Sequence, residues 1–170
     1  MSRRVPRGDR RRSRRVVLWA AGLASMLLAG ALAGRAAGEY RPDSSTWPQN
    51  ADGYAAALEL SRAEGRPLFV YFRTDWCPYC REFEQQLLSS REVEDYLRGL
   101  ARVRINPEAG QRENQLADTY GVQGYPAIFW QGHAAAAPIR VSRTSRAANG
   151  ETRLKSPLEF VAGLRQAGGQ

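Results

Sequence analysis

LFVYFRTDWCPYCREF, residues 68–83, is the stretch that decides how this chain folds. Its opening residues, Leu68 to Phe72, are an unbroken apolar run of strand length, as expected for a central strand covered on both faces. Its closing residues run on through Leu87 and Leu88 as a helix. Pro78 suits the first turn of that helix, because the N–H it lacks would find no partner there. Between strand and helix, in Trp76-Cys77-Pro78-Tyr79-Cys80, lie both cysteines of the 170-residue chain.

On a helix, residues i and i+3 share a face, so the two sulfurs can meet and close a disulfide around a very short loop. Cys77 falls at the N-cap, where unpaired backbone N–H groups and the positive end of the helix dipole favour a thiolate. Cys80, one turn inside and beside Phe83 and Leu87, is expected to be the more buried partner. Lowering a thiol pKa from about 8.5 to about 7 raises the thiolate fraction at neutral pH roughly sixteenfold. Lost nucleophilicity returns about fivefold of that gain, so attack improves only about threefold. The larger benefit is in geometry, and in Cys77 as a leaving group when Cys80 resolves a mixed disulfide.

Other uses of the pair fare less well. Tetrahedral zinc needs four ligands, and the pair with the single His133 supplies too few. Covalent haem needs His after the second cysteine, where Arg81 stands. A structural disulfide over so short a loop adds little chain-entropy stabilisation. Thiolates do bind Cu(I), which keeps a non-catalytic Cu(I)-binding or substrate-docking module as the rival to redox exchange. Exchange itself calls for no cofactor.

Working outward, Asp52 to Gly65 reads as a helix capped by Asp52 and ended by Gly65-Arg66-Pro67. Residues 39–51, with two prolines and no apolar period, read as a linker, so the folded domain is expected over 52–168. Ser89-Ser90 breaks the helix after the cysteines, and Val93, Tyr96, Leu97 and Leu100 give a second short amphipathic piece. Arg102 to Ile105 is a strand candidate, and Asn114 to Tyr120 a helix closed by Gly121. Ala127 to Trp130 and Ile139 to Val141 are two further strands, Ser142 to Arg153 a polar loop, and Ser156-Pro157 opens a last helix. This order gives an α/β sandwich on one small mixed sheet flanked by helices.

The formal charge of +8 belongs to the N-terminus. Residues 1–15 hold eight arginines against Asp9, while the rest of the chain is nearly balanced, which argues against a nucleic-acid groove. Val16 to Gly34 are 19 residues without a charge, long enough at about 1.5 Å each to match a bilayer core of roughly 30 Å. Residues 1–38 therefore read either as a cleaved signal peptide, with small residues at Ala31, Ala33, Ala36 and Gly38, or as an anchor through 16–34. Arg14-Arg15 in Ser13 to Leu18 resembles a twin-arginine export signal.

Trp76-Cys77-Pro78-Tyr79-Cys80, taken with Tyr120-Gly121-Val122-Gln123-Gly124-Tyr125-Pro126 before Ala127 to Trp130, resembles the thioredoxin superfamily over about residues 50–168. The resemblance implies a thioredoxin-like three-layer sandwich. It also implies a cis-proline at Pro126 facing the dithiol, with the backbone at Tyr125 pairing with the client chain. Asp75-Trp76-Cys77 with Cys80-Arg81-Glu82-Phe83-Glu84 is similar to the periplasmic thioredoxin-like domain of transmembrane disulfide reductases. Pro78-Tyr79 is the inner dipeptide typical of glutaredoxins, but Trp76 and Gly124-Tyr125-Pro126 do not match a glutathione site.

The superfamily usually carries a buried Asp six residues before the first cysteine, to assist proton transfer at the second; Tyr71 stands there. Glu84, one turn beyond Cys80, is either its substitute or an ordinary solvated helix carboxylate, and Glu82 points the other way. The expected site is Cys77, Cys80 and Glu84 for catalysis, with Trp76, Pro78, Tyr79, Tyr125 and Pro126 toward the client. His133 reads as an exposed turn residue, Trp47 and Trp130 as packing, and Arg73 as a local charge.

The expected activity is exported protein thiol–disulfide exchange, in the reductase direction on the strength of the resemblance, with disulfide oxidase or isomerase as alternatives. Partners would be client proteins with disulfides or thiols and a membrane-borne redox partner, in the periplasm or at the outer face of a bacterial cytoplasmic membrane.

Overall fold

Leu68–Phe72 form strand β1, and all five side chains are buried because helices cover both faces of the sheet. The computed structural model describes residues 43–169; the arginine-rich tail and the apolar run at 16–34 lie outside them. Strand β2 (Ala101–Ile105) runs parallel to β1, with Leu68 opposite Ala101 and Phe72 opposite Ile105. Strand β3 (Ala127–Gln131) pairs antiparallel on the other side, with Phe72 opposite Ala127, and β4 (Ile139–Arg140) closes that edge. The sheet order is β2-β1-β3-β4.

Successive side chains of a strand point to opposite faces, and the two faces of β1 feed two cores. Leu68, Val70 and Phe72 pack with Ala57 and Ala117 from helices α1 (Asn50–Glu64) and α4 (Gln111–Thr119). Phe69 and Tyr71 pack on the other face with Phe83, Leu97 and Phe160. Those belong to α2 (Pro78–Phe83), α3 (Arg91–Leu97) and α5 (Pro157–Ala167). The result is a helix–sheet–helix sandwich of the expected class.

Local chemistry sets the boundaries. Helix α1 ends at Gly65, whose φ of 66° is the left-handed cap that glycine adopts without a Cβ penalty. Helix α2 continues as a π-helical turn over Glu84–Leu88, and Ser90 then caps α3 by accepting from the N–H of Val93. Ser156 and Glu159 form a reciprocal capping box at the start of α5.

Two stretches differ from the sequence expectation. Residues 43–51, read as linker, belong to the fold: Ser44–Thr46 make a 3-10 turn, and Trp47, 5% exposed, packs edge-on against Phe69 with the Arg102 guanidinium 5.0 Å over its ring. Prolines and a missing period argue against regular structure, not against burial. Helix α1 accordingly starts at Asn50 with Gln49 as N-cap, and Asp52 sits in its first turn.

The second difference is Ser142 to Arg153, which is a hairpin of β5 (Thr144–Arg146) and β6 (Thr152–Leu154). Its turn runs from Ala147 to Gly150, closed by the Gly150 N–H donating to the Ala147 carbonyl at 2.9 Å, with Gly150 at φ 84°. Helix α4 also begins earlier than Asn114, at Gln111. Among the described residues, no helix is long and apolar enough to cross a membrane.

Candidate functional site

Because β1 and β3 are antiparallel neighbours, the end of β1 and the start of β3 lie together, and the loops beyond them leave the sheet at the same end of the strands. One loop carries Cys77 and Cys80, the other Tyr125 and Pro126. Cys77 is the N-cap of α2, with Pro78 in its first turn. The Cys80 N–H donates to Cys77 Sγ at 3.1 Å, and the two cysteines are joined as a disulfide with Cα atoms 5.2 Å apart. Both cysteines are buried, so the burial contrast expected between them is small in the oxidised state.

Aromatic groups flank the pair. Trp76 and Tyr79 are 61% and 58% exposed, unusual values for such large apolar side chains. The Trp76 indole N–H donates to both carboxylate oxygens of Glu108, at 2.9 and 3.1 Å, and its ring meets Tyr125 edge-on at 6.3 Å. The Tyr125–Pro126 peptide is cis. The two loops named from the sequence are thus brought together through Trp76 and Tyr125.

At the end of β1 a polar cluster surrounds Glu84. The Tyr71 hydroxyl donates to Glu84 Oε1 at 3.0 Å, Arg73 Nε lies 3.1 Å from the same oxygen, and Arg104 Nη2 lies 3.9 Å from it. Glu84 is therefore a part-buried carboxylate held by a phenol and two guanidiniums, and not the solvated helix carboxylate that was one reading of it. Burial, and then the neighbouring Glu84 carboxylate, push the Tyr71 phenol far above its ordinary range, so it stays a donor. Arg73 also pairs with Asp75 at 2.5 Å. Arg73 and Arg104 both line a polar cavity of about 390 Å³, with Asn106 and Glu108, which gives the cluster a route to solvent.

Arg73 is thus more than a local charge, and the sequence reading misses Arg104 and Glu108. Neither of these two is near the cysteines in sequence. Arg104 alone carried a signal, as a charged position alternating with buried Val103 and Ile105. Trp47 and Trp130 pack, and His133 is an exposed turn residue.

Residues 47–130 match the family described as thioredoxin-like. The chain carries a thioredoxin-like domain. The thiol:disulfide interchange protein DsbD of Ralstonia nicotianae is 31% identical to it over 113 residues, 65% of this chain and 17% of that protein. DsbD of Vibrio cholerae is 29% identical over 85 residues, 49% of this chain and 14% of that protein. The C-terminal domain of Neisseria meningitidis DsbD, in its oxidised form, has the same fold: TM-score 0.52, 20% identity, 67% of this chain and 91% of that one. The chain spans less than a fifth of the length of these curated relatives. The thioredoxin-like domain is related to thiol–disulfide oxidoreductases and holds its Cys-x-x-Cys pair at disulfide distance.

Proposed function

We propose that the thioredoxin-like domain reduces disulfides of partner proteins on the outer side of a bacterial cytoplasmic membrane. The observation that carries this reading is the Cys77 sulfur at a helix N-cap, already accepting the Cys80 N–H, between two exposed aromatic side chains. In the reduced protein the same N–H stabilises a Cys77 thiolate. That thiolate attacks a client disulfide; a new S–S bond forms, the client bond breaks, and one client thiolate leaves. Cys80 then loses its proton, with Glu84 as acceptor, and attacks the Cys77 sulfur. The mixed disulfide breaks, the second client thiolate leaves, and two electrons have passed to the client. Trp76, Pro78, Tyr79, Tyr125 and Pro126 form the face the client meets.

The spent disulfide must be reduced again, which calls for a membrane-borne donor in an oxidising compartment. Similarity to DsbD supports this placement, as does the arginine-rich, apolar N-terminus, acting as signal peptide or anchor. Equilibrating the full chain, in detergent, against thiol redox buffers tests the direction. A potential near about −270 mV supports a reductase; one near about −120 mV replaces it with a disulfide oxidase. A Cys80→Ala variant in cells should accumulate mixed disulfides with clients. A Cu(I)-binding or docking module would accumulate none, and a docking module would also keep its activity without Cys80.

A further inference from the structure

The β5–β6 hairpin takes no part in the exchange steps above, yet it delivers a side chain onto the active-site helix. Arg143, immediately before β5, donates from Nη1 to Glu82 Oε2 at 2.9 Å, and its guanidinium carbon lies 5.1 Å from the centre of the Tyr79 ring. Tyr79 and Glu82 are three residues apart on α2 and share a face, so one planar cation spans both. Only a guanidinium does this well: it bonds a carboxylate in its plane and lies over an aromatic face, whereas an ammonium is a point charge. The Arg143 side chain is 18% exposed.

The position from which Arg143 reaches is itself braced. The Lys155 N–H donates to the Arg143 carbonyl at 2.9 Å, which ties the base of the hairpin. Arg153 of β6 pairs with Glu159 of α5, tying the hairpin to the last helix. Tyr79 is the inner residue of the dithiol turn and stays 58% exposed with the guanidinium over its ring. An unpaired tyrosine at this exposure would sample several rotamers, and a client would have to order it on binding. Glu82 neutralises the guanidinium, so its effect on the Cys77 thiolate is secondary to its effect on Tyr79.

We infer that Arg143 is a positioning residue that fixes Tyr79 as a rigid contact for protein clients at the dithiol. This rests on the reading of the domain as a protein disulfide exchanger. The test is single-turnover oxidation of the reduced full chain by insulin, a protein disulfide, and by hydroxyethyl disulfide, a small one. R143A should slow the insulin reaction about two- to fivefold, the size of one partly exposed cation–π contact. Its reaction with hydroxyethyl disulfide and the pH profile of Cys77 alkylation should not change. R143K, which keeps the charge on Glu82 but not the planar stack, should behave as R143A. R143A placed on Y79A should add no further loss on insulin, because Arg143 acts only through Tyr79. Equal slowing on both disulfides, a shifted alkylation profile, or multiplying effects of R143A and Y79A would each overturn the assignment. Wild type active on both disulfides with R143A unchanged overturns Arg143 alone. Wild type active only on the small disulfide overturns the protein-exchange reading, and Arg143 with it.

Discussion

Tyr71 stands where the resemblance leads one to expect a buried acid, and its hydroxyl reaches Glu84 across 3.0 Å. A carboxylate is thus present on the helix, at Glu84, hydrogen-bonded to the residue at that strand position. We expect Glu84→Gln to slow release of the mixed disulfide by up to about a hundredfold, the lower end of a proton-transfer contribution. Tyr71→Phe, which removes one donor but leaves the carboxylate, should have a much smaller effect. Quenched-flow measurement of mixed-disulfide decay separates them, and an unchanged rate in Glu84→Gln removes Glu84 from the reaction. Spacing from Cys80 was enough to nominate Glu84 in the sequence. Arg73 and Arg104 were illegible as its partners, since they reach it from the ends of two different strands, and only the fold brings those strands under the helix.

Helix α1 carries a diagnostic glycine. Gly53 is buried, and a Cβ there would lie 2.5 Å from the Pro48 carbonyl carbon, a backbone atom that cannot turn aside. In an open helix, glycine to alanine stabilises by about 1 kcal/mol. Here we expect Gly53→Ala to destabilise by about 1–3 kcal/mol, as overpacking does, and denaturant unfolding reads the sign directly. Strand β1, the Pro78 helix start and the Ser156-Pro157 cap were legible because each is a local pattern. The Trp47 anchor was not, because burial of one aromatic leaves no periodic trace. The β5–β6 hairpin left only a turn signal, Gly150 at a positive φ, masked by its polar surroundings.

For the molecule as a whole, two tyrosines set an alkaline limit. Tyr71 and Tyr120 are both buried, and burial first, then Glu84 for Tyr71 and the Tyr54 hydroxyl for Tyr120, raise their pKa values above the unfolded value of about 10. The folded state therefore favours the neutral phenols. Their contribution is fully present below about pH 10 and is lost as the unfolded chain ionises above it. The expected slope is about 1.4 kcal/mol per pH unit for each tyrosine. Urea midpoints measured between about pH 8 and 11 should be level and then fall; a midpoint that stays level throughout would contradict the burial of both phenols.

The antiparallel pairing of β1 with β3 also has a consequence for the order of events during synthesis. A chain made only as far as residue 120 contains both cysteines and Trp76, but not the Tyr125–Pro126 side of the site, which arrives with β3. A shift of one residue in that pairing would turn every β3 side chain to the wrong face, so the two sides align only in the native register. A nascent chain thus holds its thiols before it holds the loop that meets Trp76 from the other side, and completing the sheet is what brings Tyr125 to that tryptophan.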